Sequence, residues 1–206
     1  MSADLRIAQF VTSWPDSPFG RGDHCAWQVT QRAVQLVGAT LHYLDDGYRR
    51  EGDIAVHRTV TIESGAVLKG PAIIGPGCFL AAGAYLRGGV FLDENCIIGP
   101  GCELKSSFMF KGSKLAHFNF VGDSILGADV NLEAGAIIAN HRNEWEEKAI
   151  RLVFDGQVVE PGVDKFGALV GDHVRIGANA VIAPGAIIGR GTKIPRLTLI
   201  DQSSGL

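Results

Sequence analysis

No run in this 206-residue chain is long and apolar enough to span a bilayer, and no charged segment leads into an apolar one as a secretory signal would. The expectation is a cytoplasmic protein with no membrane partner. Charge of one sign is also lacking. Lys and Arg number 19 against 22 Asp and Glu, for a formal net charge of −3, which offers no basic surface to a nucleic acid. The four cysteines include no CxxC pair, so neither a disulfide framework nor a redox motif is written here. The loop over residues 14–22 carries glycine and serine but lacks the spacing of a P-loop, and no glycine-rich nucleotide signature occurs elsewhere.

Glycine is what the chain has in plenty, 27 of them, and they recur at intervals. Placing an aliphatic residue first in each group of six gives Val56, Ile62, Leu68, Ile74, Leu80, Leu86, Leu92, Ile98, Leu104 and Phe110 in one register. The fifth place is small: Val60, Ala66, Ala72, Cys78, Ala84, Val90, Cys96 and Cys102. Gly, Pro, Ser or Asn crowd the third and fourth places, which suits very short strands joined by tight corners. A six-residue period sustained over more than half the chain is the signature of a parallel β-helix. A β-sandwich would need longer strands with period-two alternation. Three hexads make a coil of eighteen residues, stacking residues eighteen apart at the ~4.8 Å inter-strand spacing. The three repeat cysteines are expected as buried packing thiols, with Cys25 standing alone.

The reading divides the chain into an N-terminal cap with a helix (1–52), a β-helix (53–200) interrupted by a hairpin excursion over 143–166, and a tail (201–206). In the cap, Asp23 is expected to cap a helix placing Trp27, Val34, Val37, Leu41 and Leu44 on one face, laid over the first open coil. In the excursion, Asp155-Gly156 marks a two-residue hairpin turn. Its apolar Leu152, Val153, Phe154, Val158 and Val159 are expected to rest on a neighbouring subunit. Because it leaves beside Asn140 and carries Arg142, Lys148, Arg151 and Lys165, it is a candidate lid.

Lys69, Arg87 and Lys105 share the outward second place of the hexad, each eighteen residues from the last. Stacked like charges cost stability unless an anion sits among them, so the ladder reads as a phosphate strip; splaying into solvent is the alternative. After Leu115 the count is expected to shorten at residues 116–119 and restart at Phe120, pulling His117 and Asn119 out of the ordinary row. Asn131, Asn140, His141 and Arg142 follow closely.

The spacing from His117 through Asn131 to Asn140 resembles the acetyltransferase domain of bifunctional sugar-1-phosphate nucleotidyltransferase/acetyltransferases, the archaeal type above all, over roughly residues 53–195. The resemblance implies a left-handed parallel β-helix, an all-β fold with a short N-terminal helical segment, assembled as a homotrimer with sites between subunits. It implies His117 as general base and Asn140 as its catalytic companion. Arg87, Lys105, Phe120 and Asn131 would bind the amino sugar phosphate. Acetyl-coenzyme A would run past Ala134 and Ala178, with no metal required; its phosphates need cations late in the chain, for which Arg190, Lys193 and Arg196 are the candidates, a solvated end of the β-helix being the alternative. Phe120 stands where the family commonly has tyrosine. The nucleotidyltransferase half is not expected in this chain, nor is the making of nucleotide sugars.

The chemistry implied is acetyl transfer from a thioester to an amine without a covalent enzyme intermediate. An imidazole titrates close enough to neutrality to take the amine proton during attack. Two further readings stay open: a noncatalytic scaffold that keeps the pocket, and an acyltransferase acting on a nucleotide-linked sugar. A zinc site of the carbonic-anhydrase-like hexapeptide family is disfavoured, since Gly122 takes the second place of its His-x4-His pair, which leaves only a convergence of His117, His141 and His173 in an oligomer.

Overall fold

Turn residues at every sixth position leave room for strands of only a few residues, and the computed structural model, which describes residues 5–22 and 24–203, contains such strands throughout. They stack into three sheets, one of eight strands and two of seven, forming a three-faced prism whose coil strands all run parallel. Face A begins with Ile54–His57, face B with Thr61–Ile62 and face C with Val67–Leu68. The inward aliphatic and small residues, Cys78, Cys96 and Cys102 among them, form one continuous core along the prism. The cysteines are free and buried. Hydrogen bonding with Cys78 and burial hold the Cys96 thiol well above its usual pKa, which leaves it inert.

The register break differs from the expected one. Leu86 lies opposite Leu104, a coil of eighteen, but Leu92 lies opposite Met109 and Leu104 opposite Val121, coils of seventeen. Met109, not Phe110, is therefore the inward residue, and Phe110 packs outside against Trp14. The missing residues come from the two corners between faces C and A, at 105–108 and 122–125. Ser106 and Asp123 take left-handed conformations there, at φ 48° and 45°. Ser107 and Ser124 turn their hydroxyls inward and close each corner: Ser107 Oγ donates to Lys105 O at 2.7 Å, and Ser124 Oγ to Gly122 O at 2.7 Å. Residues 116–119 form an ordinary corner, and Asn119 points into the core, donating to Glu133 O and Ala136 O.

The cap also lies elsewhere. Asp23 falls outside the described residues. Two short helices meet at Arg32, α1 (Ala26–Gln31) and α2 (Ala33–Thr40); Trp27 and Val37 are buried, whereas Val34 is exposed and Leu44 falls beyond the helix. They and the preceding loop lie along face A, not over the first coil, where Ile62 remains 40% exposed. The cause is the outward row of face A: Ile73, Phe91, Phe108, Ile125 and Leu169 are apolar on this side too. Burying each such side chain contributes about 1.5–3 kcal/mol, and Phe19 does so by meeting Phe91 and Phe108 edge-on at 5.0 and 4.9 Å. The excursion hairpin, Leu152–Phe154 with Gln157–Val159, packs on the same outer core through Ile150, Leu152 and Phe166. Of its apolar residues Leu152 is buried and Phe154 and Val159 are partly covered within the chain, while Val158 stays 51% exposed.

Candidate functional site

Register alone brings Lys69, Arg87 and Lys105 side by side on face C. The ladder stops at Gly122, opposite Lys105, because a Cβ there would lie 2.7 Å from the Asn140 side-chain amide. Asn140 therefore occupies the fourth rung. Its Nδ2 donates to Asp123 Oδ2 at 2.5 Å, and Lys105 Nζ donates to the same oxygen at 2.7 Å. This pair is shielded, with Lys105 17% and Asp123 7% exposed. A carboxylate accepts only, so Asp123 fixes the orientation of the Asn140 amide and leaves its Oδ1 and one N–H for other partners. Arg87 is more open and pairs with Glu103 at 2.7 Å. Tyr85 lies beneath the ladder, with the Lys69 ammonium 5.2 Å and the Arg87 guanidinium 5.8 Å from its ring centre.

Arg87, Lys105, Phe120, Asn140, His141 and Lys165 line one cavity of about 320 Å³. Lys165 is the one lid cation that reaches this cavity, and Glu103 and Asp123, the partners of Arg87 and Lys105, were not singled out by sequence reasoning. An acid in a turn reads as a corner, and only the seventeen-residue coil sets Asp123 between Lys105 and Asn140.

His117 lies at the opposite edge of face C, exposed, at the corner with face B. The strand Phe120–Gly122 separates it from the cation end, on the order of 10–15 Å at the usual rise per residue. Backbone bonds stack its corner with those above: Gly135 N donates to His117 O, Asn179 N to Ala134 O and Leu197 N to Ala178 O. His117, Ala134, Ala178 and Arg196 thus share one edge. Arg196 there makes a two-bond ion pair with Glu133 at 2.8 and 3.0 Å.

The remaining candidates lie apart. Asn131 and Lys193 belong to an outward row on face B with Lys114 and Arg175. Arg190 pairs at 3.5 Å with buried Asp172, which also accepts from Thr12 of the N-terminal segment. Arg142 is no lid cation. Buried, it donates to Asp201 at 2.9 and 2.6 Å and to Ser203 Oγ and stacks on Trp145, locking the tail to the excursion and holding the Asp201 carboxyl down to about 2. Among the described residues, no group of three or more His, Cys, Asp or Glu side chains is placed to hold a metal ion. No helix among them is long and apolar enough to cross a membrane.

Residues 167–200 match the family profile of the bacterial transferase hexapeptide, six repeats, which fits a left-handed winding of the parallel β-helix. The chain is a hexapeptide-repeat protein. A bifunctional sugar-1-phosphate nucleotidylyltransferase/acetyltransferase of Sulfurisphaera tokodaii is 35% identical to it over 98% of this hexapeptide-repeat chain and 49% of the relative. A bifunctional protein GlmU of Methanococcus maripaludis is 36% identical over 85% of this chain and 45% of the relative. The chain thus spans about half the length of the curated relatives it matches. A solved N-acyltransferase from Bacillus cereus, AntD in complex with dTDP and coenzyme A, aligns over 76% of this chain and 81% of that one, at TM-score 0.36 and 14% identity.

Proposed function

We propose that this chain transfers the acetyl group of acetyl-coenzyme A to the amine of an amino sugar phosphate of the glucosamine-1-phosphate or galactosamine-1-phosphate type. The observation that carries the reading is the Lys105–Asp123–Asn140 cluster beside Arg87 and Lys165, a cationic pocket at one end of a strand whose other end is marked by His117. The acetyltransferase activity in the relatives' names supports it.

An acceptor would set its phosphate against Arg87 and Lys105, and its amine, on the carbon next to the phosphate-bearing one, would lie beside Phe120 and Asn140, within reach of His117 from a second copy packed on face C. The amine nitrogen attacks the thioester carbonyl, and His117 takes the proton that the nitrogen sheds. The tetrahedral oxyanion is met by backbone N–H groups or the remaining N–H of Asn140. Collapse breaks the carbon–sulfur bond, and coenzyme A leaves along the edge of Ala134, Ala178 and Arg196. Such chemistry belongs in the cytoplasm, where acetyl-coenzyme A is available. Thiol release from acetyl-coenzyme A should require the amino group: the acceptor's deaminated analogue is expected to give only background hydrolysis, and equal release from both would remove the reading.

The same reading makes the chain a homotrimer. Face A is covered by the chain's own N-terminal segment, whereas face C carries Val67, Tyr85, Phe120, Ile137, Val181 and Leu199 in one outward row that is interrupted by Glu103, the partner of Arg87. Phe118 and Leu197, 72% and 79% exposed, stand in left-handed conformations at its edge, where intervening coils use glycine or asparagine. An apolar stripe of this length favours a partner over water, and a second copy on face C would enclose His117 and the cation pocket in one site. Light scattering at micromolar concentration should give three times the chain mass; a monomer would contradict the assembly.

A further inference from the structure

We infer that the acceptor's phosphate bears a second group, and that the chain acts on a nucleotide-linked amino sugar. This deepens the acetyl-transfer reading and rests on it. A second cavity, of about 430 Å³, begins where the first ends and shares Lys105 and Lys165 with it; Asp123, the partner of Lys105, lines it as well, so a phosphate at the junction adds to the Lys105–Asp123 pair and draws on Lys165. The first alone is at the small end of the ~300–1,000 Å³ usual for small-molecule sites; the two together fall well inside it. The shared lysines sit at the junction, so a phosphate held there has the sugar on one side and its other substituent on the other.

The far wall of the second cavity comes from outside the β-helix. Thr30, Gln31 and Val34 of α1 and α2 provide it, facing Gly88 and Ser106. Two glycines hold the wall close and the floor low. A Cβ on Gly89 would lie 2.4 Å from the Ala33 carbonyl carbon, and one on Gly88 would lie 2.9 Å from Ser106 Oγ. Ser106 is only 8% exposed, yet its hydroxyl has no hydrogen-bond partner among the described residues, and it lines this cavity. The hydroxyl itself still reaches solvent, so it is open to a ligand that enters the cavity. Thr30, by contrast, is already bonded to Trp27 O.

The lining selects the ligand. Ser106 and Asp164 offer a hydroxyl and a carboxylate to the hydroxyls of a ribose. The Gln31 amide, likewise unpartnered among the described residues, offers both a donor and an acceptor to the edge of a base that rests on exposed Val34. An alkyl chain would leave these polar groups unpaired, and a bare phosphate would leave the whole cavity to water.

The test has two readouts. In calorimetric titration, UDP or dTDP alone should bind the wild-type chain, and Gln31→Trp, which fills the cavity from the exposed end of α1, should weaken that binding at least tenfold. In thiol release, kcat/KM should be at least tenfold higher for a nucleotide-linked amino sugar than for the same amino sugar 1-phosphate. Gln31→Trp should raise KM at least tenfold more for the former than for the latter. Failure of both nucleotides to bind, preference for the 1-phosphate, or an equal effect of Gln31→Trp on both acceptors overturns the inference. Nucleotide binding without turnover of any acceptor would support this subsite and contradict acetyl transfer instead.

Discussion

Replacing His117 by alanine is expected to lower kcat by roughly 10²–10⁴-fold, the range for losing a positioned proton acceptor. The KM for acetyl-coenzyme A should change little. The imidazole is exposed and belongs to no core cluster, and the corner is held by the backbone bond from Gly135 N to His117 O, which alanine keeps. The variant should therefore fold and assemble as wild type does, so a lost rate reports on chemistry. Wild-type turnover in a folded His117→Ala protein would remove this base from the mechanism and transfer the role to His141, which lines the cation pocket.

Lys105→Ala is expected to raise KM for a phosphorylated acceptor roughly 10- to 100-fold, since a charge-assisted hydrogen bond contributes about 1.5–3 kcal/mol. KM for acetyl-coenzyme A should stay near wild type, because Lys105 lies at the edge of face C away from Ala134, Ala178 and Arg196. The substitution also strips the shielded Asp123 carboxylate of its cation, and that costs stability. The double variant Lys105→Ala with Asp123→Asn separates the two effects: the neutral amide should restore much of the lost stability while KM stays high. Recovery of KM in the double variant would show that Lys105 serves only to balance Asp123. Arg87→Ala, at a more exposed pair, should show the same direction with less loss of stability.

The prism and its cation ladder were legible in the sequence because both depend on a fixed period. The period broke down where three apolar residues stand in a row: Phe108, Met109 and Phe110 each satisfy an inward place, so a one-residue contraction leaves no gap in the aliphatic count. The aliphatic count therefore points to a contraction at 116–119, beside His117, whereas it lies at the two corners that hold Lys105 and Asp123. The cap was misplaced for a related reason. Attention to inward positions hides the fact that face A is apolar on its outer side as well, and that outer row decides where the N-terminal segment lies. Arg142 looked like a site residue from its neighbours in sequence, but its partner Asp201 is fifty-nine residues away. Long-range ion pairs of this kind carry no periodic signal.

Acetyl transfer to nitrogen is most directly tested by following the label from acetyl-coenzyme A carrying ¹³C in its acetyl carbonyl. After incubation of the wild-type chain with an amino sugar phosphate or its nucleotide-linked form, NMR of the product should show the labelled carbonyl as an amide coupled to the sugar nitrogen. A labelled ester on a sugar hydroxyl, or label found only in free acetate, would contradict the account.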